Sequence, residues 1–183
     1  MEKKLTKYAY QSTTVFISYF KKMKGTMRQR GKVDYIDSTI SAAGALIAML
    51  VVSFIVLHLG HPMAIAPLGA SCILVFGAHK GLLSQPRHVI GGHFLSTTCA
   101  IIILDLLGKS VFSLVFVLAF VLFLMALTET MHPPAAASAL VAINNEVTWE
   151  FLLPIVFGAL VIVFISTIYN NAFRARQYPT HWL

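Results

Sequence analysis

From Ser38 to Leu59 the chain runs for 22 residues without an aspartate, glutamate, lysine or arginine. A helix rises about 1.5 Å per residue, so this run is long enough to cross the roughly 30 Å hydrocarbon core of a bilayer. Apolar stretches also follow at about 89–107, with Asp105 near its end, and at 111–127 and 151–169. Inside hydrocarbon the backbone has no water to bond, so a spanning stretch of this length and apolarity must be helical. Only 11% of residues are charged, against about 25% in an ordinary soluble domain. The chain is therefore expected to be an all-α polytopic membrane protein, with no soluble domain of ordinary size outside the apolar segments.

Two shorter apolar runs interrupt the series. Ala64–Ala78 has 15 residues and contains Pro67 and Gly69, and a second run ends at Ile143. The expected architecture is about four full spans plus two short or half helices. His61-Pro62-Met63-Ala64-Ile65-Ala66 matches His132-Pro133-Pro134-Ala135-Ala136-Ala137 at an offset of 71 residues. Each copy follows a full span, precedes an Ala-rich run and is followed by another span. Three segments per unit make the second copy enter from the opposite face, so a 3+3 inverted repeat of the kind found in transporters is the plan the pattern points to.

Charge sets the orientation. The formal net charge is +7, and nine of the fourteen basic residues lie in the first 32 positions. Placed just before a span, they read as a cytoplasmic marker and a contact for anionic lipid headgroups rather than for nucleic acid. Residues 1–37 are expected to form a basic amphipathic interfacial segment, with Leu5, Tyr8, Ser12, Val15, Phe16, Tyr19 and Met23 at helical spacing; a partly disordered tail remains open. Residues 38–171 then form the transmembrane domain, and 172–183 a short cytoplasmic tail carrying Arg174 and Arg176. The first long apolar run starts too far along for a signal peptide. Both termini are expected in the cytoplasm, with the protein in a bacterial inner (plasma) membrane. Cys72 and Cys99 read as buried free thiols.

The costly residues mark function. His132, two prolines and nearby Glu129 sit between apolar segments, where polar groups are expensive and serve a purpose. A proline at a helix's first turn needs no partner for its missing N–H, so Pro62 and Pro133 read as helix starts. Their positive dipole ends and free N–H groups, with small neighbours such as Ala135, are expected to face one another and hold a small anion. Gly91-Gly92-His93 offers a third place for backbone to approach a solute. His61, His93 and His132 can donate to an oxyanion or carry protons, with Glu129 or Asp105 as proton acceptor. Plainer readings stay open: His61 and His88 at the interface, Arg87 on a lipid phosphate, and Asp105 beside the Lys109 turn.

One enzymatic pattern needs weighing. Glu129-Thr130-Met131-His132 has the Glu-x-x-His spacing of di-iron carboxylate helices, but those sites need a second such pair, which the chain lacks. No metal, cofactor or enzymatic activity is therefore expected. An intramembrane enzyme using His93, Glu129 and His132 is the alternative, and a scaffold or accessory subunit the other.

The strings PLGASCILVFGA, LSQPRHVIGGH and MHPPAAASALVAI resemble the HPP family of integral membrane proteins over roughly residues 40 to 170. The family is usually described with four spanning helices, and members in cyanobacteria and chloroplasts are implicated in nitrite transport. The resemblance implies functional positions at Gly69, Ala70 and Ser71, at Gln85, Pro86 and Arg87, at Gly91, Gly92 and His93, and at His132, Pro133 and Pro134. The family's usual proline-containing link reads His79-Lys80-Gly81-Leu82-Leu83 here. C-terminal CBS domains, which some members carry, are not seen, so nucleotide regulation through them is not expected. The expected function is a transporter or channel for a small inorganic anion, nitrite first. The anion would sit near His61 and His132, with Ser71 and His93 as polar lining. Homo-oligomers are expected to pack through the small face of the first span, at Ser41, Gly44, Ala45 and Ala48.

Overall fold

The computed structural model describes residues 17–23 and 33–182. The chain divides into two units, Met1–Asp34 and Tyr35–Leu183. In the first, residues 17–23 are helical and exposed. The other positions of the proposed basic helix, from Leu5 to Phe16, lie outside the described residues.

The second unit is built from helices: α1 (Tyr35–His58), α2 (Ile65–Gly77), α3 (Pro86–Leu107), α4 (Val111–Leu127), α5 (Pro133–Asn144) and α6 (Leu152–Asn171). Short 3-10 turns at Pro62–Ala64, Leu82–Ser84 and Trp149–Phe151 lead into α2, α3 and α6. Among the described residues there is no strand. Helices Tyr35–His58, Pro86–Leu107 and Trp149–Asn171 are long and apolar enough to cross a membrane, while α4 has 17 residues.

Local sequence explains the boundaries. Pro86 and Pro133 stand at the first turns of α3 and α5, and Pro62 opens the turn before α2, as their fixed φ and missing N–H favour. Helix α4 begins at Ser110 with a reciprocal capping box, in which Ser110 and Ser113 each bond the other's backbone N–H at 3.0 and 2.9 Å. On α1 a narrow stripe of Gly44, Ala48, Val52 and Val56 faces inward, and Leu46, Leu50, Phe54 and Leu57 are exposed. Helix α4 repeats this with Val117, Val121 and Met125 inside and Phe112, Phe116 and Phe123 outside. Such broad apolar exposure fits lipid rather than water.

Helix packing follows a rule. Helix α1 packs on α2 and α6, and α4 packs on α5 and α3. Helix α3 packs on α5, and α6 on α2; α2 also meets α5, and α3 meets α6. Exchanging α1–α3 with α4–α6 maps this set of pairs onto itself. The small face of α1 is used within the chain, because a Cβ at Gly44 would lie 2.6 Å from the rings of Phe76 and Tyr169. It is therefore not the free face expected for packing between copies.

The residues after α6 fold back. Arg176, with 1% of its side chain exposed, pairs with Asp37 at the start of α1. Fully buried Tyr178 donates its hydroxyl to the Ser84 carbonyl at 2.9 Å, and the Thr180 N–H donates to Gln85 Oε1 at 2.9 Å. Gln85 Nε2 in turn donates to the carbonyls of His79 and Gly81. Burial pushes the Tyr178 hydroxyl well above its ordinary pKa, so it remains a donor at neutral pH. Burial first, then the charge of Arg176, lowers the pKa of His79, with Asp37 opposing. Tyr178→Phe leaves the Ser84 carbonyl without this donor and is expected to cost about 1–2 kcal/mol. A lowered unfolding midpoint in detergent is the readout; an unchanged midpoint would show that the strap does not hold the 79–85 loop.

Candidate functional site

Helices α2, α3 and α5 meet at four fully buried polar side chains: Ser71, His93, His132 and Ser138. Ser71 Oγ lies 2.7 Å from His93 Nε2 and 2.9 Å from His132 Nε2. His93 Nδ1 lies 2.8 Å from Ser138 Oγ, and His132 Nδ1 lies 2.8 Å from the Leu83 carbonyl. The result is a continuous chain of bonds, Ser138–His93–Ser71–His132–Leu83.

Its end fixes its polarity. A carbonyl only accepts, so His132 Nδ1 carries a proton, and a neutral ring then leaves Nε2 as an acceptor. Ser71 donates its one hydroxyl proton there, so His93 must donate from Nε2 to Ser71 and accept at Nδ1 from Ser138. With both rings neutral, every link has one proton. The assignment follows from donor and acceptor logic along the chain.

Close backbone approach holds the three helices together. A Cβ at Gly92 would sit 2.7 Å from His132 Cβ and 3.0 Å from the Thr130 carbonyl, and one at Gly91 would sit 2.8 Å from Thr130 Cγ2. These glycines admit the link between α4 and α5 onto α3; the neighbour they accommodate is this link, not a solute. Ser96 donates to the Ala135 carbonyl, and His88 Nδ1–H donates to the Met131 carbonyl at 3.0 Å. His88 is thus buried and bonded within the chain. Arg87 donates to the Thr128 carbonyl at 3.0 Å and stands 3.9 Å from Glu129, pinning the same link from its exposed side.

The helix starts do not form the expected anion cradle. His132 meets the middle of α2 at Ser71 and, through Leu83, the loop beyond its end. Six residues at about 1.5 Å each put Ser71 roughly 9 Å along the axis from Ile65. His61, at the other end of α2, is half-buried with its ring 5.8 Å from that of Phe151. Helices α2 and α5 therefore lie side by side in opposite directions, with their starts apart. Free N–H groups are also missing at α5: Pro133 and Pro134 have none, and the Ala135 N–H is bonded to the His132 carbonyl at 2.9 Å. Proline's fit to a first turn removes the very donors an anion would need there.

The remaining predicted residues scatter. Pro62 is exposed, and Gly69 lies at ordinary contact distance from Met49. Ala70, Pro133 and Pro134 line an apolar groove of about 640 Å³ between α2 and α5, on the outer side of the Ser71–His132 contact. Gln85 secures the loop carrying Leu83. Glu129, with 79% of its side chain exposed, faces Arg87, and Asp105 is exposed at the end of α3. Neither carboxylate joins the buried chain, so His93, Glu129 and His132 do not form one cluster. Among the described residues no group of three or more His, Cys, Asp or Glu side chains converges as metal ligands would. Ser138 and the Leu83 carbonyl were not singled out from sequence; each joins a partner 45 or 49 residues away. A serine on the helix that starts at His132 was the only available hint.

Two transmembrane proteins of Dictyostelium discoideum are similar to this chain. One is 31% identical over 99% of this chain and 69% of its own length; the other is 29% identical over 91% and 58%. No solved structure matches. Residues 30–179 match the family model described as HPP, transmembrane region. That match takes in α1 to α6 and every residue of the buried chain, and the protein belongs to the HPP family of integral membrane proteins.

Proposed function

We propose that this protein is a transporter or channel for a small inorganic anion, with nitrite, the substrate implied by the family resemblance, as first candidate. The observation that carries this reading is the sealed Ser138–His93–Ser71–His132 chain at the junction of α2, α3 and α5. Four polar side chains buried in an apolar bundle are costly, and hydroxyls and imidazoles are donors suited to an oxyanion. None of the four is solvent-accessible, so passage of an anion requires α5 to part from α2 and α3.

An inverted repeat of the two halves belongs to the same reading, and the helix order and packing support it. Long, short and long helices recur as α1–α2–α3 and α4–α5–α6, the packing pairs survive exchange of the halves, and α2 runs opposite to α5. Gly92 of α3 meets α5, and Gly158, at the same distance from the start of α6, meets Leu68 of α2. In this arrangement all six helices belong to the membrane domain, which is four fuller spans with α2 and α5 as the short pair. Polar chemistry occupies only one of the two halves, since His132 joins Ser71 whereas His61, its counterpart in the repeat, lies against the ring of Phe151. Both termini face the cytoplasm of a plasma membrane in this reading, and the chain works as a homo-oligomer.

The test is uptake into proteoliposomes of nitrite, nitrate, formate, chloride and sulfate. Saturable uptake of at least one monovalent anion is expected. Ser71→Ala, which deletes the hub hydroxyl, should slow it by about 10- to 100-fold, equivalent to 1–3 kcal/mol. Correctly folded protein that carries none of these anions would refute the proposal.

A further inference from the structure

Ser71 has a third neighbour. Its hydroxyl also lies 3.1 Å from the Pro67 carbonyl, one turn earlier on α2. When the hydroxyl turns to Pro67, both lone pairs of Ser71 Oγ can accept, and His132 can then carry a proton on Nε2 as well as Nδ1. The protonated arrangement is complete: His132 donates to Leu83 and Ser71, His93 donates to Ser71, Ser71 donates to Pro67, and Ser138 donates to His93. No donor or acceptor in the chain is orphaned. A second added proton would fall on His93 Nδ1 and force the Ser138 hydroxyl away from it.

Other titratable groups surround the site without joining its chain of bonds. Helix α2 adds the Cys72 thiol, α3 adds His88, Cys99 and, at its exposed end, Asp105, and α6 has Tyr169; His88 gives its Nδ1–H to Met131. Helices α4 and α5 contribute none, the loop before α3 carries His79 and Lys80, and Arg87 and Glu129 pair on the exposed side. Among the described residues no carboxylate reaches the chain. A lone imidazolium in this apolar interior is expensive, and so is a lone anion, whereas the two together are neutral.

Resting on the transport reading above, we propose that His132 takes up one proton with each anion, with the Ser71 hydroxyl switching from His132 to Pro67 to receive it. The proton enters as H⁺ with the anion and both leave on the other side, so each cycle moves no net charge. His132 and Ser71 are the coupling residues, in place of Glu129 or Asp105.

Initial uptake of the transported anion, corrected for protein-free vesicles, decides the matter. A one-unit drop in external pH should speed it about tenfold. A potassium diffusion potential of either sign, set with valinomycin at equal pH, should leave the rate unchanged. His132→Asn, which keeps an N–H for the Leu83 carbonyl but cannot be protonated, should lose the pH dependence, and Glu129→Gln should retain it. Uptake driven by the potential and indifferent to pH would overturn the coupling while leaving transport intact. Retained pH dependence in His132→Asn would overturn the assignment to His132. Absence of uptake for every anion would overturn the transport reading and this one with it.

Discussion

Gly92→Ala is expected to destabilise the membrane domain by about 1–3 kcal/mol, the usual cost of forcing extra volume into a packed interior. It should also abolish most of the proposed anion uptake. The added methyl meets His132 Cβ at 2.7 Å and the Thr130 carbonyl at 3.0 Å, with Ala135 Cβ at 3.4 Å behind them. These are backbone atoms or atoms bonded to backbone, so no side-chain rotation relieves the clash. Helix α3 must move off the 128–132 link, and the bonds of 2.7 to 2.9 Å joining His93, Ser71 and His132 stretch with it. Gly69→Ala is the control. Its methyl would meet only Met49, at 3.6 Å or more, and replacing a helical glycine gains about 0.5–1 kcal/mol. Thermal unfolding in detergent and initial uptake rates measure both variants. Equal behaviour of the two would show that α3 and the link are not tightly apposed at Gly92.

Arg176→Ala should cost about 2–3 kcal/mol, because removing one member of a buried ion pair strands its partners. The guanidinium donates to Asp37 Oδ1 at 2.8 Å, to the Asp37 carbonyl at 2.7 Å, to Ser41 Oγ and to Asn170 Oδ1 at 2.9 Å. It thereby ties the end of α6 to the start of α1. The cost stays below that of a fully buried pair, since the Asp37 side chain is 44% exposed and water can solvate it. Arg176→Lys should recover little, because one ammonium cannot reproduce a planar fork spanning four acceptors. The measurements are the unfolding midpoint and protease cleavage after residue 172. An unaltered midpoint together with an uncut tail would rule out this anchoring role.

Much of the fold was legible because its signals are local. A run such as Ser38–Leu59 announces a membrane helix by composition, and Pro86 and Pro133 announce helix starts by their own stereochemistry. The family strings contain Ser71, His93 and His132, the side chains that the structure brings together. Local signals did not give the partners of the charged residues. Arg176 reads as a cytoplasmic charge marker, yet the tail folds back and buries it. Glu129 beside His132 reads as a carboxylate in hydrocarbon, yet the left-handed turn at Glu129 (φ 54°) lies in a link whose outer side holds it against Arg87.

Sequence alone determined that the chain is helical, membrane-embedded and punctuated by prolines at its short helices, because hydrophobic run length and proline geometry act within a few residues. Only the tertiary structure decided what those short helices do. The expectation of two facing N-termini depended on free N–H groups and on the relative placement of α2 and α5. Two prolines in succession remove the donors, and antiparallel packing separates the starts. The partners that define the site instead, Ser71 with His93 and His132, are 22 and 61 residues apart. Hydrogen bonds between them depend on the close approach of three helices, and no local property of the chain encodes that distance.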